Sequence, residues 1–220
     1  MDKEVSEMIE EKLQRLIRLE WEEFQNVHNK GSRAPCQDDR KTFWIMRSSL
    51  FAPWSEEMID SWYDDLLTAR AEGHELVAEK YAWMMERTAP EEFQQIKHLL
   101  KVPSGESLAL IAEIISLEMR GMDEYRKTYP YLAAQNRDFR SEADTENSIS
   151  FETYLWGELH TYSVRTLRLY FDMAKRLQSR NSSMALSVME HTVKAYSYAS
   201  LEDAEQQCKE RFEASSGDTL

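Results

Sequence analysis

Three stretches of this chain occur twice, in the same order. Leu19-Glu20 returns as Leu117-Glu118, an offset of 98 residues (117 − 19). Phe43 through Trp54-Ser55 returns as Phe151 through Tyr162-Ser163, an offset of 108 (151 − 43). Pro90-Glu91-Glu92 returns as Leu201-Glu202-Asp203, an offset of 111 (201 − 90). An offset that grows only along the chain is what a duplicated unit with drifting loops produces. It predicts two similar halves, about 9–100 and 107–212, packed face to face about a pseudo-two-fold axis. Matching positions of the two halves would then line a shared pocket.

Hydrophobic periodicity makes both halves helical. Met8, Leu13, Leu16, Ile17, Trp21 and Phe24 recur at helical spacing, and no segment has a convincing period of two. Punctuation divides the helices. Gly31 to Asp39 is a loop containing Pro35. Pro53 ends one helix and Ser55 caps the next. Gly73 separates two more, and Pro103-Ser104-Gly105 lies between the halves. Pro130 ends the helix carrying Glu118, residues 131–149 form a polar loop, and Ser150 caps the next helix. Asn181-Ser182-Ser183 stands where Gly73-His74-Glu75 stands in the first half, and Ser200 caps the last helix. The expectation is a single all-α domain of about ten helices, with a tail at 213–220 that frays.

With 220 residues, 42% hydrophobic and 30% charged, the chain is long enough to bury a core. No apolar run approaches the roughly 18 residues of a membrane helix, and Met1-Asp2-Lys3-Glu4 lacks a signal-peptide core. A cytoplasmic protein with no membrane partner is expected. The only cysteines, Cys36 and Cys208, are neither a disulfide framework nor a structural zinc site. A net charge of −13 repels nucleic acid over most of the surface. The exceptions are 164–180, where Arg165, Arg168, Lys175, Arg176 and Arg180 face Asp172 alone, and 28–47, where Lys30, Arg33, Arg40, Lys41 and Arg47 face Asp38 and Asp39. These stretches read either as solvated helix faces or as an anion-binding surface.

Three sets of residues could carry chemistry. Glu20 and Glu118 each follow a leucine on an apolar helix face, and duplication would bring them together. Two such carboxylates could bind a cation or share a proton. The loop 31–39 offers Arg33, Cys36, Gln37 and Asp38, with Asp39 equally readable as a helix N-cap. Cys36 is a possible nucleophile if its thiol is activated. In the third set, Tyr154, Glu158 and Tyr162 share one helix face, and Arg47 on the matching helix of the first half can approach Glu158. Trp54, after Pro53 at a helix boundary, is the tryptophan expected to line a pocket. No Gly-rich phosphate loop, Cys-x-x-Cys, His-Glu-x-x-His or Glu-x-x-His is present, so no resident metal or cofactor is expected.

Leu19-Glu-Trp-Glu-Glu-Phe24, Gly31-x-Arg-Ala-x-Cys-Gln-Asp-Asp39, Phe43-x-Ile-Met-Arg47 and Phe51-Ala-x-Trp54-Ser55 form one long signature. Phe151-Glu-Thr-Tyr-Leu-x-Gly-Glu-Leu-x-Thr-Tyr-Ser163 forms a second. Together they resemble a bacterial and fungal helical family long described as of unknown function. Its fungal branch is similar to arginine-containing cyclodipeptide synthases. The resemblance implies an aminoacyltransferase that joins the arginyl group of arginyl-tRNA to a second aminoacyl-tRNA and closes a diketopiperazine. It implies aminoacyl-tRNA as partner and no DNA, with residues 164–180 as the tRNA surface. It carries over no catalytic assignment. From the residues themselves, Glu20, Glu118, Glu158 and Tyr162 are the expected catalytic set. Arg33, Cys36, Gln37, Asp38, Arg47 and Trp54 are the expected substrate contacts. The competing readings are a different small-molecule enzyme, with a metal held by Glu20 and Glu118, and a non-catalytic helical interaction module.

Overall fold

The computed structural model describes residues 3–28, 33–145 and 148–217. It is an all-α domain, with no strand among the described residues. The first half contributes α1 (Lys3–Asn26), α2 (Arg40–Phe51), α3 (Glu56–Ala71), α4 (Leu76–Thr88) and α5 (Pro90–Ile96). The second contributes α6 (Gly105–Thr128), α7 (Pro130–Ala133), α8 (Phe151–Leu159), α9 (Val164–Gln178), α10 (Met184–Ala195) and α11 (Leu201–Gly217). The helix beyond the expected ten is α7, one turn inside the segment read as loop, where Pro130 supplies the first helical φ. Helix α11 continues to Gly217, so residues 213–217 are helical where fraying was expected. No helix among the described residues is long and apolar enough to cross a membrane.

Side-chain caps set the helix starts. Ser55, Ser104, Ser150, Ser163, Ser183 and Asp39 each accept a bond from the backbone N–H three residues on. Each such cap is worth about 1 kcal/mol. Helix α5 is the contrast: its N-cap is Ala89, which brings no side-chain bond.

The main core gathers Leu16 and Ile17 of α1, Phe51 of α2, Met58, Trp62 and Leu66 of α3, Ile111 and Ile114 of α6, Leu159 of α8 and Leu167 of α9. A smaller core joins Met119, Met122 and Tyr125 of α6 to Leu132, Ala185, Val193, Leu201 and Ala204. Helix α6 thus serves both cores.

The packing of α4 on α8 matters most for the site. A β-carbon at Gly157 would lie 2.5 Å from the Lys80 carbonyl oxygen and 2.6 Å from Met84 Cγ. Only glycine allows this approach, which sets Lys80 of α4 opposite Glu158 of α8.

Candidate functional site

Helices α1, α2, α4 and α8 enclose a cavity of about 390 Å³. Its floor is a set of buried charges. Arg47 Nε donates to Glu20 Oε2 at 2.7 Å, and Arg47 Nη2 donates to Glu20 Oε1. Arg47 Nη1 lies 2.9 Å from Glu158 Oε1, and Lys80 Nζ donates to Glu158 Oε2. Trp62 Nε1 donates to Glu20 Oε1 at 2.9 Å, and the Tyr162 hydroxyl donates to Glu158 Oε1 at 3.2 Å. Two carboxylates thus meet a guanidinium and an ammonium, and the four charges cancel. Cancellation is what allows them to be buried, because an unpaired charge in a protein interior costs several kcal/mol.

Burial pushes the Glu158 carboxyl up, but Arg47 and Lys80 outweigh burial and hold it at about 2. It is a stable carboxylate and a poor base at neutral pH. Burial lowers the Arg47 pKa, yet Glu158 and Glu20 more than reverse this and keep it well above its usual range. Burial raises the Tyr162 hydroxyl well above the ordinary phenol range, with Glu158 adding to the effect. Tyr162 is therefore a hydrogen-bond donor here.

The walls are aromatic. Phe24 stacks on Phe43 with centroids 5.2 Å apart, and Tyr81 lies 6.2 Å beyond Phe24. The Arg137 guanidinium covers Tyr154 at 4.0 Å. Lys80 Nζ lies 5.4 Å from the Tyr154 ring and 6.0 Å from the Tyr81 ring. Cys36 and Asp39 also line the cavity. Asp39 caps α2 by accepting from Thr42 N at 2.9 Å.

The expected residues divide sharply. Glu20, Glu158, Tyr162 and Arg47 meet in one network, and Cys36 lines the same cavity. Glu118 does not join them. Its Oε2 accepts from Ala185 N at 2.9 Å, and it lines a different cavity between α6, α9 and α10. A metal shared by Glu20 and Glu118 is thereby ruled out, and among the described residues no three His, Cys, Asp or Glu side chains cluster to hold one. The charged neighbours of Glu158 are Arg47 and Lys80, both basic.

Trp54 is a core residue. It packs edge-on against Phe51 at 4.8 Å, Tyr162 at 6.0 Å and Tyr170 at 6.2 Å. Arg33, Gln37 and Asp38 hold the loop together instead of lining the cavity. Arg33 Nε donates to Asp38 Oδ1 at 2.9 Å, and Gln37 Nε2 donates to the Phe24 and Val27 carbonyls, each at 2.9 Å. Gly31 and Ser32 of that loop lie outside the described residues.

On α9, Arg168 Nε donates to Glu106 at 2.7 Å, and Arg165 lies 3.5 Å from Asp64. Lys175 Nζ sits 5.1 Å over Phe171. Arg176 and Arg180 are exposed. No α9 residue lines the charged cavity.

Lys80 lines the site but belongs to neither signature, while Glu23 lies inside the first signature and outside the cavity lining. Lys80 shares a helix stripe with Leu76 and Trp83, four and three residues away, so a lone cation inside an apolar pattern is the only sequence signal for it. Glu23 is fully buried one turn after Glu20, and its Oε2 accepts from Val77 N at 3.1 Å. Burial raises its carboxyl to about 7, with the Val77 N–H and Arg70 pulling the other way.

Neither the curated proteins nor the solved structures contain a match to this chain. One family does match, over residues 10–206, and its description is a protein of unknown function, DUF4125. With both signatures and the whole charged cavity inside that span, the chain belongs to this family.

Proposed function

We propose that the protein is an arginine-containing cyclodipeptide synthase that works in the 390 Å³ cavity. One observation carries the reading. The two signatures on which the resemblance rests, 96 positions apart (151 − 55), converge on one cavity. The first supplies Glu20, Phe24, Cys36, Asp39, Phe43 and Arg47, and the second supplies Phe151, Tyr154, Glu158 and Thr161.

The chemistry asks little of such a cavity. The α-amino group of one aminoacyl ester attacks the carbonyl of the other. A C–N bond forms, the ester C–O bond breaks, and one tRNA leaves with its 3′ oxygen, which takes up the proton shed by the attacking amine. A second attack closes the six-membered ring and releases the other tRNA. An α-amino group has an ordinary pKa near 8, so an appreciable fraction is neutral at pH 7. Glu158, held at about 2, serves not as base but as the anchor of the two cations. Lys80 and Arg47 present fixed N–H donors toward the developing oxyanion, in a site where such donors act strongly.

The protein's own Arg47 stands between Glu20 and Glu158, so the substrate guanidinium is assigned elsewhere in this proposal. The substrate guanidinium instead meets Asp39 and the faces of Tyr81 and Tyr154, as Arg137 already meets Tyr154. The tRNA phosphates meet Arg40 and Lys41, next to Asp39, or the exposed Arg176 and Arg180.

The test is expression in a host without such products, then mass spectrometry for new arginine-containing cyclic dipeptides. Product from the parent and none from Lys80→Met supports the reading. No product with a folded, tRNA-exposed parent rejects it. Charge reversal at Arg40 and Lys41, compared with reversal at Arg176 and Arg180, identifies the tRNA surface.

A further inference from the structure

Glu118 and Glu23 occupy the same local structure. Val77, whose N–H Glu23 accepts, is the second residue of α4, and Ala185, whose N–H Glu118 accepts, is the second residue of α10. The turns leading into the two helices also match at the offset of 108. Gly73 and Asn181 both have positive φ, 84° and 54°. His74 N donates to the Ala69 carbonyl at 2.9 Å, and Ser182 N donates to the Leu177 carbonyl at 3.0 Å. Gly121 lets α10 approach α6 at this point, since a β-carbon there would lie 2.5 Å from Ser183 Cβ.

One element of the first copy is missing from the second. Arg70, six residues before α4, donates through Nη1 to Glu22 at 3.3 Å and sets its Nε 4.0 Å from Glu23 Oε1, an ion-pair approach in which Glu23 Oε1 accepts no hydrogen bond among the described residues. The residue six before α10 is Gln178, which carries no charge. Where the first half has a guanidinium, the second has a cavity of about 460 Å³ bounded by Glu118, Gln178, Asn181 and Ser183. Glu118 is 1% exposed. Its Oε2 is taken by Ala185, and its Oε1 has no hydrogen-bond partner among the described residues. Arg120 on the cavity rim is exposed and makes no ion pair among the described residues.

We infer that this second cavity binds a small molecule bearing a guanidinium group, which takes beside Glu118 the place that Arg70 takes beside Glu23. Glu118 pairs with the ligand cation, and Arg120 meets a carboxylate where the ligand has one. Burial raises the empty Glu118 carboxyl to about 8, so cation binding draws it to its charged form. The site is separate from the charged cavity and does not depend on the cyclodipeptide reading.

Calorimetric titration of the full chain with L-arginine, agmatine and methylguanidine tests this. Saturable binding is expected for all three, strongest for L-arginine through Arg120, and weaker for L-lysine, whose ammonium lacks the planar fork. Glu118→Gln should weaken L-arginine binding at least tenfold while circular dichroism stays unchanged. Gln178→Arg tethers a guanidinium in the same place, and should abolish binding and raise the melting temperature of the unliganded protein. Absence of saturable binding at millimolar ligand overturns the inference. So does affinity retained in Gln178→Arg, which also covers the case in which Glu118→Gln fails to fold, because a ligand seated in the charged cavity would survive that change.

Discussion

Arg47 holds two carboxylates at once, Glu20 through Nε at 2.7 Å and Glu158 through Nη1 at 2.9 Å. The carboxylates come from α1 and α8, so one guanidinium ties the two halves of the chain together. Arg47→Met would leave two buried carboxylates with only Lys80 between them. A loss of about 3–5 kcal/mol in unfolding free energy is expected by urea denaturation. Arg47→Lys should not restore it, since one ammonium cannot reproduce the fork. Adding Glu20→Gln to Arg47→Met should recover part of the loss, as the double-mutant cycle would show.

The pH dependence of stability should be unusual. Glu23 and Glu118 are held near 7 and 8 when folded, against an ordinary 4.5, so above pH 4.5 the native state keeps protons that the unfolded chain has lost. Stability therefore falls as pH rises from about 5 to 8, by about 1.4 kcal/mol per pH unit for each such proton. His160 acts in the opposite direction. Buried between Trp83 and Trp156, it is lowered to about 4 from 6.5, so below pH 6.5 the unfolded chain takes up a proton that the native state refuses. Glu158, held at about 2, adds stability above pH 4.5 that is lost as pH falls toward 2. The maximum is expected at mildly acidic pH. Glu118→Gln should flatten the alkaline limb, so its stability relative to the parent rises between pH 5 and 8. Denaturant titrations at four pH values would measure this, and an unchanged slope would refute it.

Gly157→Ala puts a methyl group 2.5 Å from a backbone carbonyl that cannot rotate away. The expected result is a destabilisation of about 1–3 kcal/mol and a displaced Lys80–Glu158 pair. Gly105→Ala, where nothing lies within 4 Å of the added atom, is the control and should leave the melting temperature unchanged or higher.

Lys80→Met removes a donor from the cavity while keeping the length of the side chain. Product should fall at least a hundredfold by mass spectrometry, the scale of losing one oxyanion donor. Glu118→Gln, in the other cavity, should leave product formation within severalfold of the parent.

The helical class and nearly every boundary were legible in the sequence, because caps and Pro or Gly breaks act locally. Arg47 opposite Glu158 was also legible, since the offset of 108 aligns their helices. The error over Glu118 has a physical cause. The Leu-Glu dipeptide pairs it with Glu20, but the side chain that shares its kind of backbone partner is Glu23, one turn further on. Residues one turn apart share a helix face, so a dipeptide match fixes the helix and its face but not which turn holds the equivalent side chain. Trp54 shows the converse. Its position after Pro53 suggested a rim, while the ring turns inward against Phe51 and Tyr170. Lys80 was not legible because no motif includes it; only its place in an apolar stripe marks it out.

The charged floor of the cavity is electrically neutral, which separates two kinds of sensitivity in any assay. Ions in solution screen exposed charges over about 10 Å at 0.1 M and act far less on buried pairs. Under the proposed function, adding salt should therefore leave the turnover of small aminoacyl esters, which would need only the cavity, almost unchanged. Turnover of tRNA-borne substrates should fall steeply over the same range. The difference between the two slopes would report how many phosphates the outer surface neutralises.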